Sequence, residues 1–198
     1  ILGFSQLMLQ SNESTDAIGG GLSLEQEDNL QVIVRSGEHL LGLINEVLEM
    51  SKIEAGRMTV NEHDFDLRRM LEGLEEMFAL RADQKDLFLL FEIDKSVPHF
   101  VHADEGKLRQ ILLNLLGNAI KFTHTGGVVL SASVLSGNAS PETNSKKTLP
   151  KQLVFEVRDT GPGIESHDLE TIFDPFVQAS TTSEAQEGTG LGLTISLQ

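Results

Sequence analysis

One stretch limits the fold more than any other: Leu108 to Thr123, LRQILLNLLGNAIKFT. Leu108, Ile111, Leu112, Leu115, Leu116 and Ala119 recur at helical spacing and form a continuous apolar stripe, so this segment is a helix lying on a core. Asn114, Asn118 and Lys121 stand four and then three positions apart and share a second face. That face is either ordinary solvated surface or, with two carboxamides and an ammonium in a row, a place for a hydrated cation and a phosphate. Motifs further along the chain decide between them.

Composition narrows the partners. The formal charge of −15 on 198 residues argues against nucleic-acid or anionic-membrane binding, both of which need basic patches. A nucleotide would have to be held locally, by amides, a lysine and a metal ion. With 39% hydrophobic residues but no Trp or Tyr, the core is aliphatic with phenylalanine inserts. Cysteine is absent, which removes disulfides and thiolate metal sites and fits a reducing compartment. No apolar run approaches the ~20 residues of a membrane span. The chain opens without Met, in mid-pattern at ILGFSQLML, and is read as part of a longer protein.

Taken in order, Ile1 to about Gln10 reads as the end of a helix, and Gly19-Gly20-Gly21 as a flexible connection. Ser23, with Gln26 three residues on, caps a long helix to about Ala55, stopped by Gly56. Its apolar residues Leu30, Val34, Leu41, Ile44 and Leu48 keep three-, four- and seven-residue steps, with Met50 two further on, a seam that needs a partner. Met58 to Phe65 is a strand candidate, and Asp66 caps a helix to about Gln84. Asp86 to Asp94 and Val101 to Ala103 follow as strands, then Asp104 caps the asparagine-bearing helix. Gly126 to Leu135 and Gln152 to Arg158 are strands joined by a polar excursion, and a last helix begins at Leu191. The order helix, helix, β-α-β-β-α-β-β-α predicts an α+β, two-layer α/β sandwich behind an α-helical hairpin.

Two glycine turns are candidates for the chemistry, although Asp-x-Gly-x-Gly taken alone is also an ordinary β-turn pattern. Asp159-Thr160-Gly161-Pro162-Gly163-Ile164 leaves a strand directly; its glycines let backbone approach a ligand, and Asp159 can accept a hydrogen bond from an exocyclic amine. Gly188-Thr189-Gly190-Leu191-Gly192-Leu193 opens a helix, where free amides form an anion site. Asp174 to Glu187 between them is polar and unpatterned, as a ligand-dependent lid would be.

Asn-x-x-x-Asn ending in Lys, then Asp-x-Gly-x-Gly, then Phe-x-x-Phe (Phe173, Phe176), then Gly-x-Gly-x-Gly resembles the ATP-binding domain of sensor histidine kinases. They are one branch of the gyrase, heat-shock-chaperone and MutL superfamily. Gly37 to Gly56 looks like the second helix of the dimerisation and phosphotransfer domain, and ILGFSQLML like the tail of its first. The resemblance implies two parts, residues 1–56 and 57–198. In the second, Asn118 would ligate Mg²⁺, Asn114 would help hold ATP, and Lys121 would contact phosphate. Asp159 would bind the adenine amine, with Gly161, Gly163 and Ile164 shaping its pocket. Phe173 and Phe176 would anchor the lid, while Gly188, Thr189, Gly190, Leu191, Gly192 and Leu193 form the phosphate loop. It further implies a homodimer through the hairpin, a response-regulator receiver domain as partner, and a cytoplasmic location, any membrane anchor lying in other segments.

The match has departures. The family's acceptor histidine is followed by an acidic residue and Leu-Arg-x-Pro; His39, His63, His99, His102, His124 and His167 all lack that context, so the acceptor is expected upstream of Ile1. Strands that follow the last helix in the family are expected after Gln198. Asn114 occupies the position where hydrolysing relatives carry a glutamate general base, which disfavours an ATPase. The alternative in another class is a non-catalytic nucleotide-binding or dimerisation scaffold.

Overall fold

The computed structural model describes residues 1–13, 22–57, 59–135, 152–177 and 190–197. The chain divides into two compact units, Ile1–Met58 and Thr59–Gln198.

The first unit is two helices, α1 (Leu2–Glu13) and α2 (Leu24–Glu54). The capping box is present: Gln26 donates its backbone N–H to Ser23 Oγ at 3.2 Å, and Ser23 N–H donates to Gln26 Oε1 at 2.9 Å. Helix α1 runs to Glu13, three residues past the expected end. Leu2 packs on Gly37 in the middle of α2. Beyond that level Leu41, Ile44 and Leu48 are 50%, 46% and 53% exposed, so their stripe is uncovered within this unit. Gly19 to Gly21 and the side chain of His39 lie outside the described residues.

The second unit is β1 (His63–Asp66), α3 (Leu67–Asp83), β2 (Phe88–Ile93), β3 (Phe100–Ala103), α4 (Glu105–Phe122), β4 (Gly127–Leu135), β5 (Gln152–Asp159) and α5 (Gly192–Leu197). Strands β1 and β3 form an antiparallel pair with Phe65 opposite Val101. Strand β4 is the middle of a mixed sheet ordered β2-β4-β5, parallel to β2 and antiparallel to β5. The β2–β4 crossover through β3 and α4 makes the parallel pairing possible. The first strand starts at His63, later than the expected Met58: Met58 is outside the described residues, and Asn61 gives its N–H to the Asp104 carboxylate (2.8 Å), not to a strand.

Both helices begin as their caps dictate. Asp66 accepts from Arg69 N–H at 3.1 Å and Asp104 from Lys107 N–H at 3.0 Å. Leu67, Met70, Leu71, Leu74, Phe78 and Ala82 form the buried face of α3, and Leu112, Leu116, Ala119 and Ile120 that of α4. They close over Val128, Leu130 and Ala132, alternate residues on one side of β4. Two layers therefore enclose one core, and the asparagine face of α4 is left clear of it. The polar excursion at 136–151 lies outside the described residues.

Candidate functional site

Helix α4 is the floor of the site. Its last turn meets the first glycine turn: a Cβ on Gly161 would stand 2.8 Å from Asp159 Oδ1 and 3.1 Å from the Phe122 carbonyl oxygen. A side chain there would have to displace the Asp159 carboxylate and press on the Phe122 carbonyl. Asp159 Oδ1 accepts the Gly161 N–H at 2.8 Å, leaving its second oxygen open among the described residues. Thr160 locks the turn to the sheet, donating through Oγ1 to the Thr125 carbonyl (2.7 Å) and accepting from Gly127 N–H (3.0 Å). Around Gly163 a Cβ would meet nothing within 4 Å, and Ile164 is 45% exposed; this side of the turn faces open space.

The second glycine segment meets the middle of the same helix. Asn114 Nδ2 donates to the Gly192 carbonyl at 3.1 Å and to Ser196 Oγ at 3.3 Å. Leu191 and Ile195 bury beside it, at 1% and 7% exposure, docking α5 on α4. Asn114 and Phe122 are eight residues apart, about 12 Å along the axis. Asn118 and Lys121 stand between these two contacts, half-buried. Asn118 makes no side-chain hydrogen bond among the described residues, and the Lys121 ammonium lies 4.8 Å over the Phe122 ring, without an ion pair among those residues.

The ends of the lid region are tied by backbone. Phe176 N–H donates to the Gly190 carbonyl at 3.1 Å. Phe176 has φ +65°, a left-handed conformation that costs a non-glycine residue about 1 kcal/mol or more. Phe176 is 68% exposed and Phe173 40%, and what joins Phe176 to Gly190 is a main-chain hydrogen bond. Leu193 is half-buried on α5. Gly188, Thr189 and the lid stretch 178–187 lie outside the described residues.

Two features escaped the sequence reading. Lys85 reaches the end of α4 from the turn before β2, donating to the Ile120 (3.1 Å) and Lys121 (2.8 Å) carbonyls. A cleft of about 380 Å³ lies at the N-terminal ends of α3 and α4, lined by Asp66, Arg69, Met70, Gly73, Glu105 and Arg109. It is remote from Asn118, half-open, and its charges offset one another. The Arg109 guanidinium holds the Glu105 carboxyl below its usual range, helped by His63. The chemistry of α4 makes its polar face the better candidate.

Comparison with known proteins gives the family. Residues 103–198 match the family described as histidine kinase-, DNA gyrase B- and HSP90-like ATPase, and residues 1–56 match the His Kinase A (phospho-acceptor) domain. The autoinducer 2 sensor kinase/phosphatase LuxQ of Vibrio cholerae is 35% identical over 98% of this chain, and the sensor protein GacS of Pseudomonas syringae is 38% identical over 99%. The chain spans 21% and 20% of their lengths. The crystal structure of full-length ShkA in complex with AMPPNP superposes with a TM-score of 0.71 at 33% identity, covering 98% of this chain and 36% of that one. The chain belongs to the sensor histidine kinase family, and it carries that family's ATP-binding part. Among the described residues no helix is long and apolar enough to cross a membrane.

Proposed function

We propose that the protein containing this chain phosphorylates a histidine from Mg·ATP and relays the phosphoryl group to an aspartate on a response-regulator receiver domain. The observation that carries this reading is the arrangement on α4: Gly161 abuts its last turn, Gly192 its middle, and Asn118 and Lys121 lie between. In it Asp159 accepts the adenine amine, Gly161, Gly163 and Ile164 line the base, and Lys121 faces the phosphates. Asn118 would ligate Mg²⁺, which prefers few protein oxygens beside phosphate and water; a carboxamide supplies one without added charge. Among the described residues the groups fit: a carboxamide without a hydrogen bond, an ammonium without an ion pair and one open carboxylate oxygen. Gly188 to Leu193 would form the phosphate loop, and Phe173 and Phe176 would anchor the lid.

Asn114 bears on the reaction type. An amide cannot act as a general base at neutral pH, and the nitrogen of this one donates to Gly192 and Ser196. Transfer to an imidazole needs positioning and charge neutralisation, not an activated water. Residues 1–56 would then be dimerisation and phosphotransfer helices, and 57–198 the catalytic part. The uncovered Leu41, Ile44 and Leu48 stripe suits a second copy completing a four-helix bundle. A reaction that uses ATP and a receiver domain would run in the cytoplasm.

Fluorescent-nucleotide titration with and without Mg²⁺ tests the reading. Binding should tighten with Mg²⁺ in the wild type, and Asn118→Asp should abolish Mg-dependent transfer in the intact kinase. An absence of nucleotide binding leaves the scaffold reading in its place; steady phosphate release without a protein acceptor would point to an ATPase.

A further inference from the structure

The four last carbonyls of a helix have no partner within it, and the end frays when nothing else satisfies them. At the end of α4 they are dealt with one by one. Ala119 O accepts from Thr123 N–H at 3.1 Å and Thr123 Oγ1 at 2.7 Å. Ile120 O and Lys121 O accept from Lys85 Nζ at 3.1 and 2.8 Å. Phe122 O is the wall against which Gly161 rests.

We propose that Lys85 is a positioning residue for the nucleotide site, holding the last turn of α4 so that Lys121 and the Asp159–Gly161 turn stay in register. The inference rests on the nucleotide reading above. An ammonium suits this role because it is compact, carries three donors, and brings a charge that is favourable at a helix C-terminus. Lys85 grips the backbone of Lys121, the assigned phosphate cation. The next residue, Phe122, sets where Gly161 and therefore Asp159 can lie. Freed from Lys85, both carbonyls would turn toward water and the turn carrying Lys121 would loosen at the edge of the site.

Lys85→Met keeps the aliphatic stem and removes the donors. In the full chain it should weaken Mg·ATP binding about tenfold, the order of one to two lost hydrogen bonds. The Gly161 amide, whose N–H reports its bond to Asp159, should exchange faster, while the amide of Leu130 in the middle of β4 should not. Lys85→Arg should restore much of both. Wild-type affinity in Lys85→Met, or Gly161 and Leu130 exchange rising together, overturns the proposal, the latter by reducing Lys85 to a general stabiliser. A wild-type chain that binds no nucleotide refutes the nucleotide reading instead, and the Gly161 exchange comparison still decides whether Lys85 holds the turn.

Discussion

The Asn114 side chain donates to the carbonyl of Gly192 at 3.1 Å, joining the middle of α4 to the first residue of α5 across most of the second unit's sequence. Ser196 Oγ donates to the same carbonyl at 2.8 Å and accepts from Asn114 at 3.3 Å, closing a small network. Asn114→Asp replaces the donor with an oxygen facing an oxygen. The loss should be about 1–3 kcal/mol, felt as a lower Tm and weaker nucleotide binding. Calorimetry and a nucleotide titration check it; a variant unchanged in both would mean that α5 docks through Leu191 and Ile195 alone.

Gly190 should be irreplaceable for a different reason. It has φ +70°, and an added Cβ would stand 2.8 Å from the Phe176 carbonyl carbon and from the Val177 carbonyl oxygen. Both neighbours are backbone and cannot swing aside. Gly190→Ala should break the Phe176–Gly190 hydrogen bond, accelerating exchange at the Phe176 amide and weakening ATP binding, at a local cost above about 1 kcal/mol. Unchanged Phe176 exchange would contradict it.

Asp104 links stability to pH. Its carboxyl is held below the ordinary aspartate range, first by the Asn61 N–H and then by the Lys107 N–H. A carboxyl depressed in the folded state contributes stability that is present above its unfolded pKa, near ~3.9, and is lost as pH falls through the lower folded value. Asp104→Ala should cost about 1 kcal/mol at neutral pH as a lost N-cap, and the difference from wild type should shrink in acid. Equal differences at pH 7 and pH 3 in urea melts would show the cap to be uncharged in effect.

Asp159→Asn separates binding from folding. An Asn Oδ1 can still accept the Gly161 N–H, so the turn should survive and Tm change little. The other oxygen becomes a donor and can no longer accept from adenine, which should weaken ATP binding by roughly 1–3 kcal/mol. An unchanged affinity would remove Asp159 from the base pocket.

Much of the fold was legible because its punctuation is local. Asp66, Asp104 and the Ser23–Gln26 box announce helix starts within three residues, and the stripe on α4 names its buried face; the order of the elements among the described residues followed from such signals. Where pairing partners decide, the reading failed or was silent. Strand β1 begins at His63 because Asp104, 43 residues away, takes the Asn61 N–H. Likewise nothing near Lys85 in sequence points to carbonyls 35 and 36 positions on. In the site, residue types suggested that Asn114, Asn118 and Lys121 share a face, and α4 aligns them. That Asn114 spends its amide on Gly192 was invisible, since it depends on how α5 docks.

The most direct test is a titration of isotope-labelled chain with Mg·ATP, following backbone amides by NMR. The account predicts that Asn118, Lys121, Gly161 and Gly190 shift together with one saturation curve, and that removing Mg²⁺ diminishes the shift at Asn118 most. Shifts confined to the Arg69 and Arg109 cleft, with α4 beyond Asn114 unmoved, would contradict it.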